Sequence, residues 1–357
     1  MASYSKELRI AQLAVQRAAI LTKHVFQEKA KEAISKTDSS PVTIGDFGAQ
    51  ALIIHAIKKN FPEDQIMGEE ETSLFRNNTD LRELVWSLVK NTSLSDSKAE
   101  ATLGGSVQSM EDMLTAIDQG DSSGGNAGRI WALDPIDGTK GFLRGGQYAI
   151  CLALIVNGDV SVGVLGCPNL PTDDTVPINS QIGFNQTGTE GQGALLAAVS
   201  SHGATIRPLG TGDLLTSKSI HMRPLKDIAK AIFCESVEAS HSSHEKQSKI
   251  IKELGISEAS VRMDSQAKYA SLAMGIGDIY LRLTTRPDYQ EKIWDHAAGC
   301  IIVREAGGEV TDSLGRRLDF SKGRTLVENK GVIAASRGLH GQVLCIVKKV
   351  LNQTQKI

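Results

Sequence analysis

The sequence predicts mixed α/β structure, with an α+β first domain over residues 1–222 and an α/β second domain over residues 223–357. Three observations lead to this fold class. The length of 357 residues corresponds to about two domains at roughly 150 residues each. Before residue 222 the clearest extended segments form a hairpin, as in an antiparallel sheet. After it, short apolar runs alternate with helical patterns, as in an α/β domain.

Two helices and a short strand begin the first domain. From about Lys6 to Ala33 apolar residues recur at three- and four-residue steps, the pattern of one stripe on a long helix. A second stripe runs from about Asp46 to Asn60 and stops before a proline. The short apolar piece at residues 65–68 then predicts a strand, which ends in the three glutamates 69–71.

The next stretch, residues 72–128, is polar and rich in serine and glycine. It contains two helical patterns, around Leu81–Val89 and Met110–Ile117. A strand over Ile130–Leu133 follows and leads directly into a turn with the sequence DPIDGT, residues 134–139. The strand therefore delivers two aspartates to its own carboxyl end.

The rest of the chain predicts one hairpin and then alternating elements. Runs at 148–156 and 160–165 flank Asn157-Gly158-Asp159, a hairpin signal because Asn-Gly accepts positive φ. Beyond residue 222, strands are predicted at 231–234, 261–263 and 279–283, a strand pair after residue 308, and helices at 243–254, 266–274, 295–306 and 339–351.

Charge and composition exclude several classes of partner. The 39 basic and 41 acidic residues nearly cancel, so no overall field draws the protein to nucleic acid or to a membrane. The longest apolar run, Ala149–Val156, is far shorter than the ~20 residues of a membrane span. The N-terminus lacks an apolar signal region, and five scattered cysteines without a C-x-x-C pair suit a reducing compartment. We expect a cytoplasmic monomer that acts on a small molecule.

Carboxylates stand at the ends of the predicted elements, where strand ends and helix starts meet at a sheet edge. Crowded carboxylates cannot all stay ionised without a compensating charge, which a metal ion would supply. Oxygen donors without histidine or cysteine favour Mg²⁺, with Mn²⁺ or Ca²⁺ as competitors, and disfavour Zn²⁺. The candidate acids are Asp46, Glu69, Glu70, Asp134, Asp137 and Asp295. We interpret Glu70 as a neighbour that orients a water of the metal.

The spacing of the residues in the segment DPIDGT has a physical explanation. Pro135 fixes a bend that brings the two aspartates to one side, and the carbonyl of Ile136 can turn inward as a further oxygen ligand. Gly138 and Thr139 offer free backbone N–H groups to a phosphate. A hydroxyl at Thr139 with the Asp46 carboxylate behind it would form a relay that takes a proton from the attacking water. Metal and phosphate sites together indicate phosphoryl transfer.

Three separated motifs in this order resemble those of a known superfamily: GEE at 68–70, WALDPIDGTKGF at 131–142 and WDHAAG at 294–299. They are similar to the signatures of the lithium-sensitive, magnesium-dependent phosphatases related to inositol monophosphatase and fructose-1,6-bisphosphatase. Within this superfamily the chain most resembles the eukaryotic 3′(2′),5′-bisphosphate nucleotidases. The segments that carry this closer resemblance are SPVTIGDFGAQ (40–50), DPIDGTKGFLRG (134–145), HSSHE (241–245), MDSQAKY (263–269) and YQEKIWDHAAG (289–299).

The resemblance implies a layered αβαβα sugar-phosphatase fold and two or three Mg²⁺ ions. It implies one ion on Glu69, Asp134 and the Ile136 carbonyl, another on Asp134, Asp137 and Asp295, and a water-activating pair of Asp46 and Thr139. The residues that match the family's nucleotide contacts are His241, Ser265, Lys268 and Arg282. The implied reaction converts adenosine 3′,5′-bisphosphate into AMP and phosphate, with 3′-phosphoadenylyl sulfate as a further substrate, lithium or sodium as inhibitors, and a role in sulfate assimilation.

Two other functions remain open from the sequence. One is an inositol or other sugar phosphate phosphatase of the same superfamily, which would share the metal motifs without needing His241, Ser265 and Lys268. The other is a catalytically silent sensor of a nucleotide or metal. A silent sensor would be expected to lose the water-activating pair, and both Asp46 and Thr139 are present.

Overall fold

The computed structural model describes residues 4–31, 40–72, 78–172, 182, 193–238, 243–283, 286 and 288–354. The helices of these residues are α1 (Ser5–Lys31), α2 (Ser40–Asn60), α3 (Thr79–Asn91), α4 (Ser97–Thr102), α5 (Met110–Asp118), α6 (Thr139–Arg144), α7 (His244–Leu254), α8 (Ala267–Ala273), α9 (Ala297–Glu305) and α10 (Arg337–Thr354). The strands are β1 (Gln65–Gly68), β2 (Arg129–Asp137), β3 (Ala149–Val156), β4 (Asp159–Cys167), β5 (Ala194–Val199), β6 (Ala204–Pro208), β7 (Lys218–Ile220), β8 (Phe233–Glu235), β9 (Val261–Arg262), β10 (Ile279–Arg282), β11 (Gly308–Thr311) and β12 (Val332–Ser336).

The first sheet has seven strands in chain order, β1 to β7. Only β1 and β2 pair in parallel, and each later neighbour pairs antiparallel. The predicted hairpin joins β3 to β4, and both residues at its tip have positive φ, 50° at Asn157 and 86° at Gly158. Such a pair of angles is what the Asn-Gly sequence permits in a tight hairpin turn.

The second sheet has five strands in the order β11-β12-β10-β8-β9. Strands β8, β9 and β10 run parallel, whereas β12 pairs antiparallel with both β10 and β11. The chain passes from the first sheet to the second between Ile220 and Phe233. The boundary at residue 222 stays a prediction, because one apolar core extends across both sheets.

Five layers stack through the molecule. Helices α1 and α2 pack on one face of the first sheet. Helices α8 and α9 lie between the two sheets, and their buried residues, such as Tyr269 and Ile301, share a core with both. Helices α7 and α10 cover the outer face of the second sheet, with Ile250 and Val343 packed against Phe233. The predicted layered αβαβα fold is confirmed.

Several local predictions were wrong. Helix α2 begins at Ser40, not near Asp46, because a proline is compatible with a first helical turn, whose N–H groups have no partner within the helix. Asp46 therefore lies inside a helix. Asp295 precedes α9 by two residues instead of starting it. The apolar sequence around most cysteines predicts buried thiols, which is confirmed for four of them, whereas Cys345 is exposed on α10. In the described ranges, every helix is too short or too polar to cross a membrane.

Candidate active site

A cavity of about 340 Å³ opens where the carboxyl ends of β1 and β2 face α8, β10 and the segment before α9. Most residues predicted for the site line it: Glu69, Asp134, Ile136, Asp137, Gly138, Thr139, Ser265, Lys268, Arg282 and Asp295. Asp46 is buried behind this lining, and Glu70 lies on a neighbouring cavity. His241 falls outside the described residues.

A β-bulge, not a turn, brings the first two aspartates together. Strand β2 continues through residue 137, and its register with β3 shifts between Asp134, which pairs with Cys151, and Asp137, which pairs with Ala149. Three steps along β2 thus match two steps along β3. Because side chains alternate along a strand, the extra residue turns both aspartates to the same face. Pro135 is tolerated inside the sheet because it lies in this bulge.

Asp137 is fixed by the backbone of the opposite half of the protein. The N–H of Gln266 donates to its Oδ2 at 2.6 Å. This contact requires a close approach between Gly138, with φ of 91°, and Ser265, because a Cβ on the glycine would lie 2.8 Å from the serine Cβ. Ser265 itself has φ of 68°, a left-handed angle uncommon for a residue other than glycine. Local backbone strain therefore accompanies the closure of the site.

Desolvation and mutual repulsion both disfavour the ionised form of the carboxylates in this site. Desolvation by the surrounding protein raises the pKa of Glu69 to about 8, and the charge of Asp295 adds to the shift. Desolvation, and then Asp295, raise the pKa of Asp137 to about 7. Burial likewise raises the pKa of Asp134 and of Asp46 far above the usual range, with further contributions from neighbouring acids. The protein alone does not offset the negative charge of this pocket.

These residues fit a hard divalent cation. The Oδ1 of Asp134 is buried and has no hydrogen-bond partner among the described residues, as a metal-binding oxygen would have none. The converging donors are oxygens from Glu69, Asp134, Asp137 and Asp295. An all-oxygen set of this charge suits Mg²⁺ and does not suit Zn²⁺.

Two basic residues face the acids across the cavity. Lys268 is buried, and its Nζ lies 3.4 Å from the Met263 carbonyl and 5.2 Å from the ring centroid of Tyr280. Burial lowers the pKa of Lys268, opposed by the charges of nearby acids. Arg282 forms an ion pair at 2.8 Å with Glu291. The cavity thus carries negative charge on its β2 side and positive charge on its β10 side.

Glu291, Asp295 and His296 also bring potential ligand atoms within 4.8 Å of one another. Glu291 is already neutralised by Arg282, and His296 contacts Glu291 at 3.3 Å and the hydroxyl of Tyr269 at 2.8 Å. We interpret this group as a hydrogen-bond network that orients Arg282, not as a second metal site.

The relay of Thr139 and Asp46 has less direct support. Thr139 lines the cavity, and Asp46 lies close enough to Glu70 and Glu69 for their charges to affect its pKa. Within the described ranges no hydrogen bond joins the two side chains. The relay stays a prediction.

Sequence reasoning missed four lining residues, Lys140, Tyr269, Tyr280 and Tyr289. Lys140 follows Thr139 directly and forms an exposed ion pair with Glu238 at 3.1 Å, so its place in the motif was a usable signal. Tyr269 and Tyr289 belong to two of the segments that carry the family resemblance, which was also a usable signal, whereas Tyr280 lies in none of them.

The comparisons with known proteins agree with one another. The sequence matches the Inositol monophosphatase family over residues 4–352. It is 60% identical over 349 residues to a 3′(2′),5′-bisphosphate nucleotidase of Emericella nidulans, covering 98% of this chain and 99% of that protein. It is 48% identical over 347 residues to the enzyme of the same name from Schizosaccharomyces pombe, covering 96% and 95%. Among solved structures, Mycobacterium tuberculosis SuhB has a TM-score of 0.58 at 18% identity and 98% coverage of both chains.

The raised pKa values predict how the metal-free protein responds to pH. An unfolded glutamate ionises near pH 4.5, whereas Glu69 keeps its proton until about pH 8, so the free energy of unfolding should fall across this interval. The melting temperature without divalent ions should therefore decrease between these two pH values. Added Mg²⁺ should raise it more at the higher pH, because cations bind ionised carboxylates.

The thermal unfolding of Glu69→Gln, compared with that of the unaltered protein, tests whether Glu69 causes this pH dependence. This variant should have a flatter pH dependence and a smaller response to Mg²⁺, whereas Glu63→Gln, at an exposed position outside the cavity, should behave like the unaltered protein. A melting temperature that rises with pH in the metal-free protein would contradict the interpretation.

Proposed function

The chain belongs to the inositol monophosphatase family, and from this premise we propose that it removes the 3′-phosphate of adenosine 3′,5′-bisphosphate, giving AMP and phosphate. The observation that carries the proposal is the division of charge in one cavity, with crowded carboxylates on one wall and Lys268 and Arg282 on the other. Two proteins named 3′(2′),5′-bisphosphate nucleotidase are 60% and 48% identical to this chain over nearly its full length, which supports the choice of a nucleotide as substrate.

Magnesium is the metal we propose for the acidic wall, as two or three ions. When bound, it supplies a Lewis acid that polarises phosphate oxygens and lowers the pKa of water. Glu69, Asp134 and the Ile136 carbonyl would hold one ion, and Asp134, Asp137 and Asp295 another.

The chain's own groups would carry out the remaining tasks. The N–H groups of Gly138 and Thr139, at the start of α6, would hold phosphate oxygens. The Thr139 hydroxyl would pass a proton to Asp46 as the attacking water is activated. For this task Asp46 must be ionised, and neighbouring cations would lower its raised pKa again. Glu70 would orient water beside the acids.

The basic wall would select the nucleotide. Lys268 and Arg282 would neutralise the second phosphate, since charge-assisted hydrogen bonds to phosphate are among the strongest that a protein makes. Ser265 and His241 would contribute polar contacts to the nucleotide. By the same reasoning 3′-phosphoadenylyl sulfate would be a second substrate, which would give the protein a role in sulfate assimilation in the cytoplasm.

A sugar phosphate phosphatase is the second candidate. The family match and the fold likeness to SuhB are equally consistent with it. The buried Lys268 favours the nucleotidase, because a phosphate would add to the nearby acids Asp264 and Asp137 in offsetting the unfavourable burial of its charge. A silent sensor is disfavoured, since both members of the proposed relay are present.

The decisive measurement compares phosphate release from several candidate substrates. Phosphate release with Mg²⁺ should be faster, by kcat/KM, for adenosine 3′,5′-bisphosphate than for 3′-AMP or inositol 1-phosphate. The comparison with 3′-AMP isolates the second phosphate, because the two nucleotides differ only there. Equal or faster release from inositol 1-phosphate would overturn the nucleotidase proposal and leave the phosphatase proposal intact.

Substitutions should separate metal binding from proton transfer. Asp134→Asn should abolish turnover and Mg²⁺-dependent stabilisation together, because it removes a charge shared by both proposed ions. Thr139→Ala should lower kcat by about 10²–10⁴-fold, the usual contribution of a general base, with Mg²⁺-dependent stabilisation retained. Full activity of Thr139→Ala would exclude the relay.

Lithium should inhibit the enzyme by occupying one of the magnesium positions. The degree of inhibition at a fixed lithium concentration should change with the Mg²⁺ concentration, and sodium should act in the same way at higher concentration. Potassium chloride at equal ionic strength is the control. Activity that does not respond to lithium well above the magnesium concentration would contradict this assignment.

A further inference from the structure

Arg324 contacts both halves of the candidate site without lining its cavity. Its Nη2 donates to the Gly68 carbonyl at 2.6 Å, and its Nη1 donates to the Ser122 carbonyl at 2.9 Å. The guanidinium carbon also lies 4.7 Å from the ring centroid of Trp294. One side chain therefore touches the residue before Glu69 and the residue before Asp295.

The backbone of Arg324 belongs to the Asp295 side of this junction. Its carbonyl accepts from the N–H of Ile293 at 3.1 Å, and the N–H of Leu326 donates to the Glu291 carbonyl at 2.8 Å. Between these bonds Lys292 and Thr325 form an antiparallel bridge. The side chain thus projects from the segment paired with residues 291–293 and reaches across to the end of β1.

The β1 side of the junction is equally well defined. The N–H of Gly68 donates to the Gly120 carbonyl at 2.9 Å, and the N–H of Ser122 donates to the Ile66 carbonyl at 2.9 Å. Arg324 therefore binds two carbonyls on adjoining segments that already pair with each other. A guanidinium can donate to both while its flat face stacks on an indole.

A link at this position opposes a repulsive force. Glu69 comes from the first sheet and Asp295 from the segment before α9, and once both are ionised their like charges favour separation of the two segments. The side chain of Arg324 comes from the Asp295 side of the junction and bonds directly to the end of β1. Its own surroundings include Glu71 and Asp121, whose charges partly offset the desolvation that lowers the pKa of Arg324.

We propose that Arg324 is a positioning residue that holds the Glu69 end of β1 against the Trp294–Asp295 segment, at the spacing that a shared set of divalent cations requires. It acts through the Gly68 carbonyl and the Trp294 ring and does not touch the substrate. This inference rests on the proposed use of Glu69 and Asp295 as metal ligands.

The shape of the guanidinium, not only its charge, is what the proposal requires. Arg324→Lys keeps the positive charge but loses the two-pronged donor and the flat stacking face. Arg223→Lys is the matched control, because Arg223 is also a half-buried guanidinium, which donates to Asp278 and to the Lys230 carbonyl away from the cavity.

The test measures binding of Mn²⁺ alone to the full-length protein by electron paramagnetic resonance, with Mg²⁺-induced shifts in melting temperature as a second readout. Arg324→Lys should weaken Mn²⁺ binding by about tenfold or more, the usual effect of losing a group that orients metal ligands. Its metal-free melting temperature should stay close to that of Arg223→Lys, which should bind Mn²⁺ normally. In the assay, saturating Mg²⁺ should restore most of kcat.

A second pair of variants tests the role of Trp294, whose ring stacks on Arg324. These variants test the proposal even if Arg324→Lys fails to fold. Trp294→Phe retains an aromatic face and should bind Mn²⁺ nearly as well as the unaltered protein, whereas Trp294→Leu should lose affinity. Combining Trp294→Leu with Arg324→Lys should weaken binding by less than the product of the single effects, because both remove one contact.

Normal Mn²⁺ affinity in Arg324→Lys, or equal losses in Trp294→Phe and Trp294→Leu, would overturn the positioning role. The proposed function is judged separately. If the unaltered protein binds Mn²⁺ but hydrolyses no nucleotide, the nucleotidase proposal fails while the role of Arg324 is still decided by the binding data.

Discussion

The unfavourable ionisation of crowded and desolvated carboxylates is the constraint on which the architecture of the site depends. The pKa values of Asp46, Glu69, Asp134 and Asp137 are all raised, first because the surrounding protein desolvates each carboxylate and then because neighbouring acids repel its charge. A fold that gathers such groups must hold them in place by other interactions of the backbone and side chains. The bulge in β2 and the left-handed backbone of Ser265 lie beside this cluster, and the guanidinium of Arg324 is the group that we propose to hold its two sides together.

The layered arrangement explains how the acids are held. The first sheet supplies Asp134 and Asp137 from the bulged end of β2, while the segment before α9 supplies Asp295. Helices α8 and α9 are packed between the sheets, so the backbone N–H of Gln266 can reach Asp137 from the opposite half. The site lies where the two halves meet, and both halves supply charged residues to it.

Much of this could be predicted from the sequence, and the exceptions have physical reasons. Carboxylates at element ends indicated the acidic pocket, and three motifs in order identified the family, which the comparisons confirm. The bulge could not be predicted, because DPIDGT suits both a turn and an irregular strand, and only pairing with β3 decides between them. Arg324 lies in a polar stretch without a motif, and its importance comes from contacts with residues distant in sequence.

The same geometry also gives a physical reason for a substrate with two phosphates. Cations held by Glu69, Asp134, Asp137 and Asp295 would neutralise one phosphate on the β2 wall. Lys268 and Arg282 would remain on the other wall, where Glu291 already pairs with the arginine but burial still acts against the lysine's charge. A ligand with a single phosphate would satisfy the metals and leave that lysine without a new partner. A second phosphate would add to Asp264 and Asp137 in offsetting the burial of Lys268, which gives a reason for the basic wall to favour a bisphosphate.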